Sequence, residues 1–300
     1  MLPSSVKIVE VGPRDGLQNE KQVIALAAKL QLIDELAAAG LTYIEAGSFV
    51  SPKWVPQMAD SQQLFQQLTK QVGVTYSALT PNMQGLQSAL NAKVDEVAIF
   101  GAASESFSMR NINCSIAESL LRFEPLIEQA AANGLKVRGY VSCVLGCPYE
   151  GEISPDKVLQ ITQQMLAMGC YEVSLGDTVG VGTPLKTEKL LNTLLQHIPV
   201  DKLAVHFHDT YGQALANILI ALQQGISVID SSVAGLGGCP YAKGAAGNVA
   251  TEDVIYMLNG MGIETGVNLA ALVSAGQNIM GQLGRTSQSK VAQAMAFVTQ

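Results

Sequence analysis

The feature that most constrains the fold is a regular alternation of short apolar segments with longer amphipathic ones. Eight short segments rich in β-branched and aliphatic residues predict strands, at 6–12, 42–49, 74–79, 96–101, 136–144, 172–178, 203–210 and 228–234. The amphipathic segments between them predict helices at 21–39, 58–70, 82–92, 115–133, 155–169, 184–197, 213–224 and 250–259. Eight such strand–helix units predict a (β/α)8 TIM barrel, which typically takes about 250 residues.

Composition supports strands that are buried on both faces. Hydrophobic residues make up 48% and charged residues 14% of the 300 positions, which is typical of a parallel sheet covered by helices. A doubly wound open sheet is the alternative, but Gly12 opens no G-x-G-x-x-G fingerprint after the first strand. We predict one barrel domain over 1–300, in which 263–300 is a helical C-terminal extension. Asn19 and Gly40 are the predicted N-cap and end of the first helix.

Several classes of partner and location are disfavoured. The sequence contains no apolar run of about 20 residues and no signal-peptide pattern at its start. A net charge of −7 argues against a nucleic-acid surface. The five cysteines, without secretion signals, indicate reduced thiols. We therefore expect a cytoplasmic protein with no membrane and no nucleic-acid partner. The C-terminal AFVTQ is not a peroxisomal tripeptide and the start shows no mitochondrial leader, which favours a bacterial protein or a mature form already trimmed.

The seventh predicted strand carries two of the chain's three histidines, His206 and His208. Side chains two apart on a strand point to the same face, so both imidazoles should emerge together. Two converging imidazoles favour a divalent cation site. A pair of hydrogen-bonded core histidines is the alternative.

Polar residues gather where the predicted strands end, which is the active-site face of such barrels. Five strands contribute to this set: Arg14, Asp15, Gln18, Glu45, Ser48, Asp177, Thr178, His206, His208 and Cys239. Asp15 can add a carboxylate to the two histidines, and that donor set suits Mg²⁺ or Mn²⁺, with Zn²⁺ as an alternative. A regular strand would turn Arg14 and Asp15 to opposite faces, so the flanking Gly12 and Gly16 predict a bend.

Cys239 lies in the glycine-rich segment GLGGCPYAKGAAGN, 235–248. Glycine permits close approach of backbone to a ligand, and a thiol there is a candidate nucleophile or acid–base group. An ordinary buried thiol is the alternative. The segment lacks the Lys-Ser/Thr ending of a phosphate-binding P-loop.

Long motifs resemble those of one enzyme family. They are VGPRDGLQNE (11–20), YVSCVLGCPYEG (140–151), SLGDTVGVGTP (174–184), VHFHDTYGQALAN (205–217) and GLGGCPYAKGAAGN (235–248). Together they resemble the 3-hydroxy-3-methylglutaryl-CoA (HMG-CoA) lyase family, of the metal-dependent acyl-CoA lyase and condensing barrel superfamily. The cysteine in the glycine-rich segment points to the lyase branch.

The resemblance implies a (β/α)8 barrel that binds Mg²⁺ or Mn²⁺ and forms a homodimer. It implies cleavage of an acyl-CoA thioester, HMG-CoA, to acetoacetate and acetyl-CoA, in leucine degradation and ketone-body formation. The implied metal ligands are Asp15, His206, His208 and Asn248. The implied catalytic residues are Cys239, Arg14, Glu45, Asp177 and His206. The predicted substrate-binding residues are Arg14, Gln18, Ser48 and Thr178.

The residue types suit this chemistry. A metal lowers the pKa of a coordinated hydroxyl, Arg14 can stabilise an enolate oxygen, and Cys239 is a candidate acid for the enolate carbon. The first base stays open among Asp15, His206 and a metal-bound water.

Three positions depart from the family pattern: Phe207, which should point away from the site, and Lys243 and Ala246 in the glycine-rich segment. Three other functions remain as alternatives: a lyase for a related 3-hydroxyacyl-CoA, a Claisen-type condensing synthase and a non-catalytic metal-binding barrel.

Overall fold

A computed structural model of the chain describes residues 2–238 and 247–298, the last two of these by backbone alone. It contains a closed barrel of eight parallel strands in sequential order, with β8 paired to β1. The strands are β1 Lys7–Glu10, β2 Tyr43–Ser48, β3 Thr75–Leu79, β4 Glu96–Ala102, β5 Lys136–Ser142, β6 Glu172–Asp177, β7 Leu203–Phe207 and β8 Val228–Ser231. The predicted (β/α)8 fold is confirmed.

Helices separate the strands and surround the barrel. They are α1 Leu26–Ala38, α2 Ser61–Gln67, α3 Met83–Asn91, α4 Glu105–Ile112, α5 Ile116–Ala132, α6 Pro155–Met168, α7 Pro184–Leu194, α8 Ala214–Gln223, α9 Thr251–Gly260, α10 Leu269–Leu283 and α11 Lys290–Val298. The last two confirm the extra C-terminal helices, and α10 packs against α1. Within the described ranges, every helix is too short or too polar to cross a bilayer.

Two details of the predicted helices were wrong. Helix α1 begins at Leu26 instead of 21, because the Gln57 side chain holds the preceding segment in a loop by bonding Ile24 N and Gln22 O. Asn19 is therefore not an N-cap, and its amide donates to Gly238 O at 3.0 Å. Helix α4 was not predicted, because its segment is short and mostly polar; Ser104 caps it by accepting from Phe107 N.

The main hydrophobic core lies between the strands and the helices, whereas the barrel interior is partly polar. Small apolar clusters line that interior, one around Val9 and Val11 and another around Leu79 and Ala98. Between them lies Arg138, whose side chain is fully buried. The interior therefore carries charge from mid-barrel toward the rim where the strands end.

Candidate metal centre and active site

A single π-helical turn, Gly12–Gly16, presents Arg14 and Asp15 at the carboxyl end of β1. The carbonyl of Val11 accepts from the amide N–H groups of Asp15 and Gly16, at 2.7 and 3.1 Å. At Gly12 a Cβ would lie 2.6 Å from Glu10 Oε1, so the turn can pack this closely only with glycine there. The predicted bend is thus a turn of the kind often found at functional sites, and it lets Arg14 and Asp15 face one site.

Asp15, His206 and His208 converge at the rim. Each offers one ligand atom, and these three atoms lie within 4.8 Å of one another. His206 Nε2 is 3.9 Å from Asp15 Oδ2, and the two imidazole rings are 5.4 Å apart. Both histidines are buried, and His208 Nδ1 has no hydrogen-bond partner among the described residues. One carboxylate with two imidazoles is a donor set that fits a divalent cation.

The protonation states also suit ligation. Burial opposes charge on Asp15, but the guanidinium of Arg14 and the nearby histidines outweigh it and lower its pKa to about 2. Burial, together with the neighbouring His206, lowers the pKa of His208 to about 4. Near neutral pH the carboxylate is therefore ionised and His208 is neutral, which are the forms that bind metals.

Asn248 adjoins this cluster through its amide nitrogen. Its Nδ2 donates to Asp15 Oδ2 at 2.8 Å and to Leu236 O at 3.3 Å. Both neighbours of this atom, Asp15 Oδ2 and Leu236 O, are acceptors. The atom must therefore be the amide nitrogen, because the amide oxygen cannot donate a hydrogen bond. In this arrangement the Asn248 amide nitrogen orients Asp15, and its role as a metal ligand stays a prediction.

Arg14 is held beside the cluster by two carboxylates. Its Nε donates to Glu45 Oε2 at 2.7 Å and its Nη1 donates to Asp15 Oδ1 at 2.6 Å. The guanidinium carbon lies 5.8 Å from the centre of the Tyr140 ring. Glu45 is fully buried and its Oε1 has no hydrogen-bond partner in the described part of the chain. This arrangement fixes a cation next to the metal donors, where negative charge would be stabilised.

The predicted substrate-binding residues lie at different distances from this cluster. Gln18 joins it directly, because its amide donates to Asp15 Oδ1 at 2.7 Å. Ser48 accepts from Val50 N at 3.3 Å, and Thr178 accepts from Cys143 N at 2.9 Å. These two hydroxyls therefore brace the backbone at the ends of β2 and β5.

Asp177 is turned away from the cluster. Asp177 pairs with Phe207 on the neighbouring strand β7, and paired residues point to the same face of a sheet. Phe207 packs in the core between the strands and the helices, so Asp177 also points out of the barrel. Its carboxylate accepts from Gly182 N at 2.8 Å and Val181 N at 3.2 Å, and burial raises its pKa to about 6. Asp177 thus holds the loop after β6, and Phe207 does point away from the site as expected.

Three predicted positions lie outside the described residues: Cys239, Lys243 and Ala246. Asn248, the last residue of the glycine-rich segment, lies next to the cluster, and its backbone pairs with that of His208.

Sequence reasoning missed Tyr140 and Asp230, which line the site from β5 and β8. Tyr140 lies edge-on to His206, with ring centres 6.0 Å apart. Asp230 Oδ2 is 3.4 Å from His206 Nδ1. The available signal was the two-residue periodicity of the strands, which places Tyr140 and Asp230 on inward-facing positions.

The fold and the site together define a (β/α)8 barrel whose carboxyl rim carries an arginine beside an Asp–His–His donor set that could hold a divalent cation. The sequence signature of the HMGL-like family matches residues 5–279. The chain belongs to this family, and the resemblance seen in its motifs is confirmed.

Individual relatives cover almost the entire chain. It is 63% identical to the mitochondrial hydroxymethylglutaryl-CoA lyase of Bos taurus, over 97% of this chain and 90% of the relative. It is 60% identical to the 3-hydroxy-3-isohexenylglutaryl-CoA/hydroxy-methylglutaryl-CoA lyase of Pseudomonas aeruginosa, over 98% of both.

Solved structures agree with this assignment. The hydroxymethylglutaryl-CoA lyase crystal structure from Pseudomonas aeruginosa superposes with a TM-score of 0.97 at 59% identity, covering 99% of each chain. A lyase from Acinetobacter baumannii, in complex with coenzyme A and 3-methylmalate, gives 0.93 at 35% identity, covering 97% of this chain and 95% of that one.

Proposed function

We propose that the chain is a metal-dependent carbon–carbon lyase that cleaves HMG-CoA to acetoacetate and acetyl-CoA. The observation that carries this proposal is the convergence of Asp15, His206 and His208 beside Arg14 at the barrel rim. Family membership supplies the reaction, and the coenzyme A bound to a 35% identical relative supports an acyl-CoA substrate.

A second candidate substrate has a longer C3 substituent. The Pseudomonas aeruginosa relative is named for 3-hydroxy-3-isohexenylglutaryl-CoA as well as for HMG-CoA. At 60% identity the two chains share most of their sequence, so both thioesters belong in the first assay.

The proposed reaction begins with loss of the C3-hydroxyl proton. Asp15, His206 and His208 would hold a divalent cation, which would act as a Lewis acid and lower the pKa of that hydroxyl. With its pKa near 2, Asp15 is better suited to ligation than to holding a proton. The proton therefore goes to His206 or to a water molecule.

Cleavage of the C2–C3 bond then leaves its electron pair on the acetyl-CoA fragment. C3 and its oxygen become the ketone of acetoacetate, and negative charge develops on the thioester oxygen of the enolate. The Arg14 guanidinium, fixed by Glu45, donates hydrogen bonds to that oxygen. Cys239 gives its proton to C2, which completes acetyl-CoA and leaves a thiolate that solvent reprotonates.

The remaining residues have supporting roles in this proposal. Gln18 and Asn248 orient Asp15 through their amide groups. Ser48, Thr178 and Asp177 hold the strand ends and loops against which the acyl-CoA would bind.

Metal identity, assembly, location and pathway are inferred from the family and the donor set. Oxygen and imidazole ligands favour Mg²⁺ or Mn²⁺ over softer ions. We infer a homodimer in the bacterial cytoplasm that acts in leucine degradation and ketone-body formation. Light scattering of the purified protein checks the assembly.

The decisive assay measures acetoacetate release from HMG-CoA with Mg²⁺, with Mn²⁺ and after chelation. We expect metal-dependent release that falls by at least about 100-fold in Cys239→Ala, within the range of a lost acid–base group. Cys170→Ala is the matched control, because burial raises the pKa of the Cys170 thiol to about 12 and removes it from acid–base chemistry. No release by folded, metal-loaded protein from either thioester would overturn the proposed activity. Release of CoA from acetyl-CoA plus a keto acid would indicate a synthase instead.

A further inference from the structure

Behind the metal donors, the barrel interior holds a buried polar network centred on Arg138. Its Nη2 and Nη1 donate to Asp230 Oδ1 and Oδ2 at 2.8 and 3.0 Å. Its Nε donates to Glu172 Oε1 at 2.6 Å. Arg138 and Asp230 are buried to within 1% exposure. This network faces the side of His206 that is turned away from Asp15.

Asp230 joins the network to the rim cluster. Its Oδ2 accepts from Arg138 Nη1 and from Ser174 Oγ, the latter at 2.9 Å, and it lies 3.4 Å from His206 Nδ1. The two guanidinium bonds from Arg138 and the Ser174 hydroxyl hold both oxygens of this buried carboxylate in place. Asp230 is therefore a fixed acceptor facing His206 Nδ1.

The two nitrogens of His206 face opposite partners. Nε2 points toward Asp15 Oδ2 at 3.9 Å, on the side of the proposed cation, and Nδ1 points toward Asp230. An ionised carboxylate can only accept a hydrogen bond. It therefore favours the tautomer with a proton on Nδ1 and a free lone pair on Nε2.

We propose that Asp230 is a positioning residue that fixes the tautomer and ring orientation of His206 for metal binding. Carboxylate–histidine–metal arrangements of this kind raise metal affinity in other proteins. The inference rests on the metal site assigned under the proposed function, and it deepens it. With Nδ1 directed at Asp230 and Nε2 reserved for the cation, His206 would have no nitrogen left to act as the first base, and a water molecule would take that role.

The chain offers a matched pair of variants for the test. Asp230→Asn and Glu172→Gln each neutralise one buried carboxylate that bonds Arg138, but only Asp230 adjoins His206. In Asp230→Asn one of the two carboxylate oxygens becomes an NH₂ group, which must face either Arg138 or His206. Both of these side chains present N–H donors there, so a donor would face a donor. A general loss of packing would affect both variants, whereas the positioning role affects only the first.

The readout is Mn²⁺ affinity, measured by electron paramagnetic resonance without substrate. We expect the Kd to rise about 10- to 100-fold in Asp230→Asn and to stay close to wild type in Glu172→Gln. Equal affinity in wild type and Asp230→Asn would overturn the positioning role while leaving the metal site intact. Absence of Mn²⁺ binding by the wild type would overturn the metal site and this inference with it.

A second measurement uses the wild-type protein, so it decides the question even if Asp230→Asn fails to fold. Two-dimensional ¹⁵N–¹H spectra of the histidine rings near pH 8 report which nitrogen carries the proton. The sequence has three histidines, and His197 is exposed, which simplifies assignment. We expect a protonated Nδ1 on His206. A protonated Nε2 would overturn the inference.

Discussion

Two carboxylates five positions apart, the buried Glu10 at the end of β1 and the partly buried Asp15 in the turn after it, have opposite ionisation behaviour. Burial raises the pKa of Glu10 to about 7, although three hydrogen bonds oppose it. Asp15 is also largely desolvated by its surroundings, yet its pKa falls to about 2 because Arg14 and the histidines lie beside it. The same chain segment thus holds one acid near its protonated form and another firmly ionised.

The partners explain the difference. The oxygens of Glu10 accept from Gly12 N at 2.8 Å, Val233 N at 2.9 Å and Thr251 Oγ1 at 2.7 Å, all of which are neutral donors. Asp15 instead accepts a charge-assisted bond from Arg14. A neutral donor offsets only part of the cost of burying a charge, whereas a nearby cation offsets more.

This comparison separates a structural carboxylate from a candidate ligand. Glu10 links the Gly12–Gly16 turn to the segment after β8, and the chain itself supplies donors to both of its oxygens. Near Asp15, by contrast, His208 Nδ1 and Glu45 Oε1 lack partners among the residues that the structure describes. Beside a set of metal donors, such atoms support a site that binds a ligand.

The largest expected effect is that of Asp15→Asn, which removes the charge and keeps the shape. We expect kcat to fall by at least about 10³-fold, because the metal contribution to a transition state is several kcal/mol and each 1.36 kcal/mol is tenfold. Mn²⁺ affinity should fall in parallel. Glu10→Gln, the same change from carboxylate to amide, should leave kcat and Mn²⁺ affinity nearly unchanged. Equal losses in the two variants would show that Asp15 and Glu10 do not differ in function.

Arg14→Lys should have the next largest effect. Lysine keeps the charge but loses the planar fork that bonds Glu45 and Asp15 at once. We expect kcat to fall about 10²- to 10³-fold, as for loss of an oxyanion donor, with a smaller change in KM. Arg110→Lys is the matched control, since Arg110 is exposed and stacks on Tyr149 at the surface. An unchanged kcat in Arg14→Lys would remove Arg14 from the proposed chemistry.

The fold and part of the site could be predicted from sequence because both depend on local patterns. Strand periodicity placed His206 and His208 on one face, and the glycines around Arg14 predicted the bend that lets it share a site with Asp15. The strand and helix ends were less accurate, because tertiary contacts such as those of Gln57 decide where α1 begins.

The parts that sequence did not reveal depend on contacts across the barrel. Asp230 and Arg138 are 92 positions apart, and neither belongs to a recognisable motif. Likewise Asp177 ends its strand at the rim, as a catalytic carboxylate would, yet it shares the outward face of the sheet with its register partner Phe207. These pairings form only when the barrel closes, so the periodicity of a single strand in the sequence does not predict them.

The smallest expected effect is on stability, in Glu10→Gln. The pKa of Glu10 is about 7 in the folded protein against 4.5 for the free group, so the folded state binds more protons between these values. Its contribution to stability is fully present below about pH 4.5 and is lost as the pH rises through about 7. The wild type should therefore lose stability over this window.

Glutamine can replace protonated glutamate at this position without leaving a donor unpaired. Its oxygen can accept from Gly12 N and Val233 N, while its amide donates to Thr251 Oγ1, which can then donate to Ser231 Oγ, 2.9 Å away. We expect wild type and Glu10→Gln to unfold at similar temperatures near pH 4.5, where Glu10 is still protonated in the folded protein. Near pH 8.5 the variant should be more stable by about 1–3 kcal/mol, which calorimetry would detect as a Tm higher by several degrees.

Asp15→Asn is the contrasting control. The pKa of Asp15, near 2, lies below this pH range, so the difference in stability between Asp15→Asn and the wild type should not change with pH. A pH-independent difference in Glu10→Gln as well would show that Glu10 is ionised throughout, and the contrast between the two carboxylates would fail.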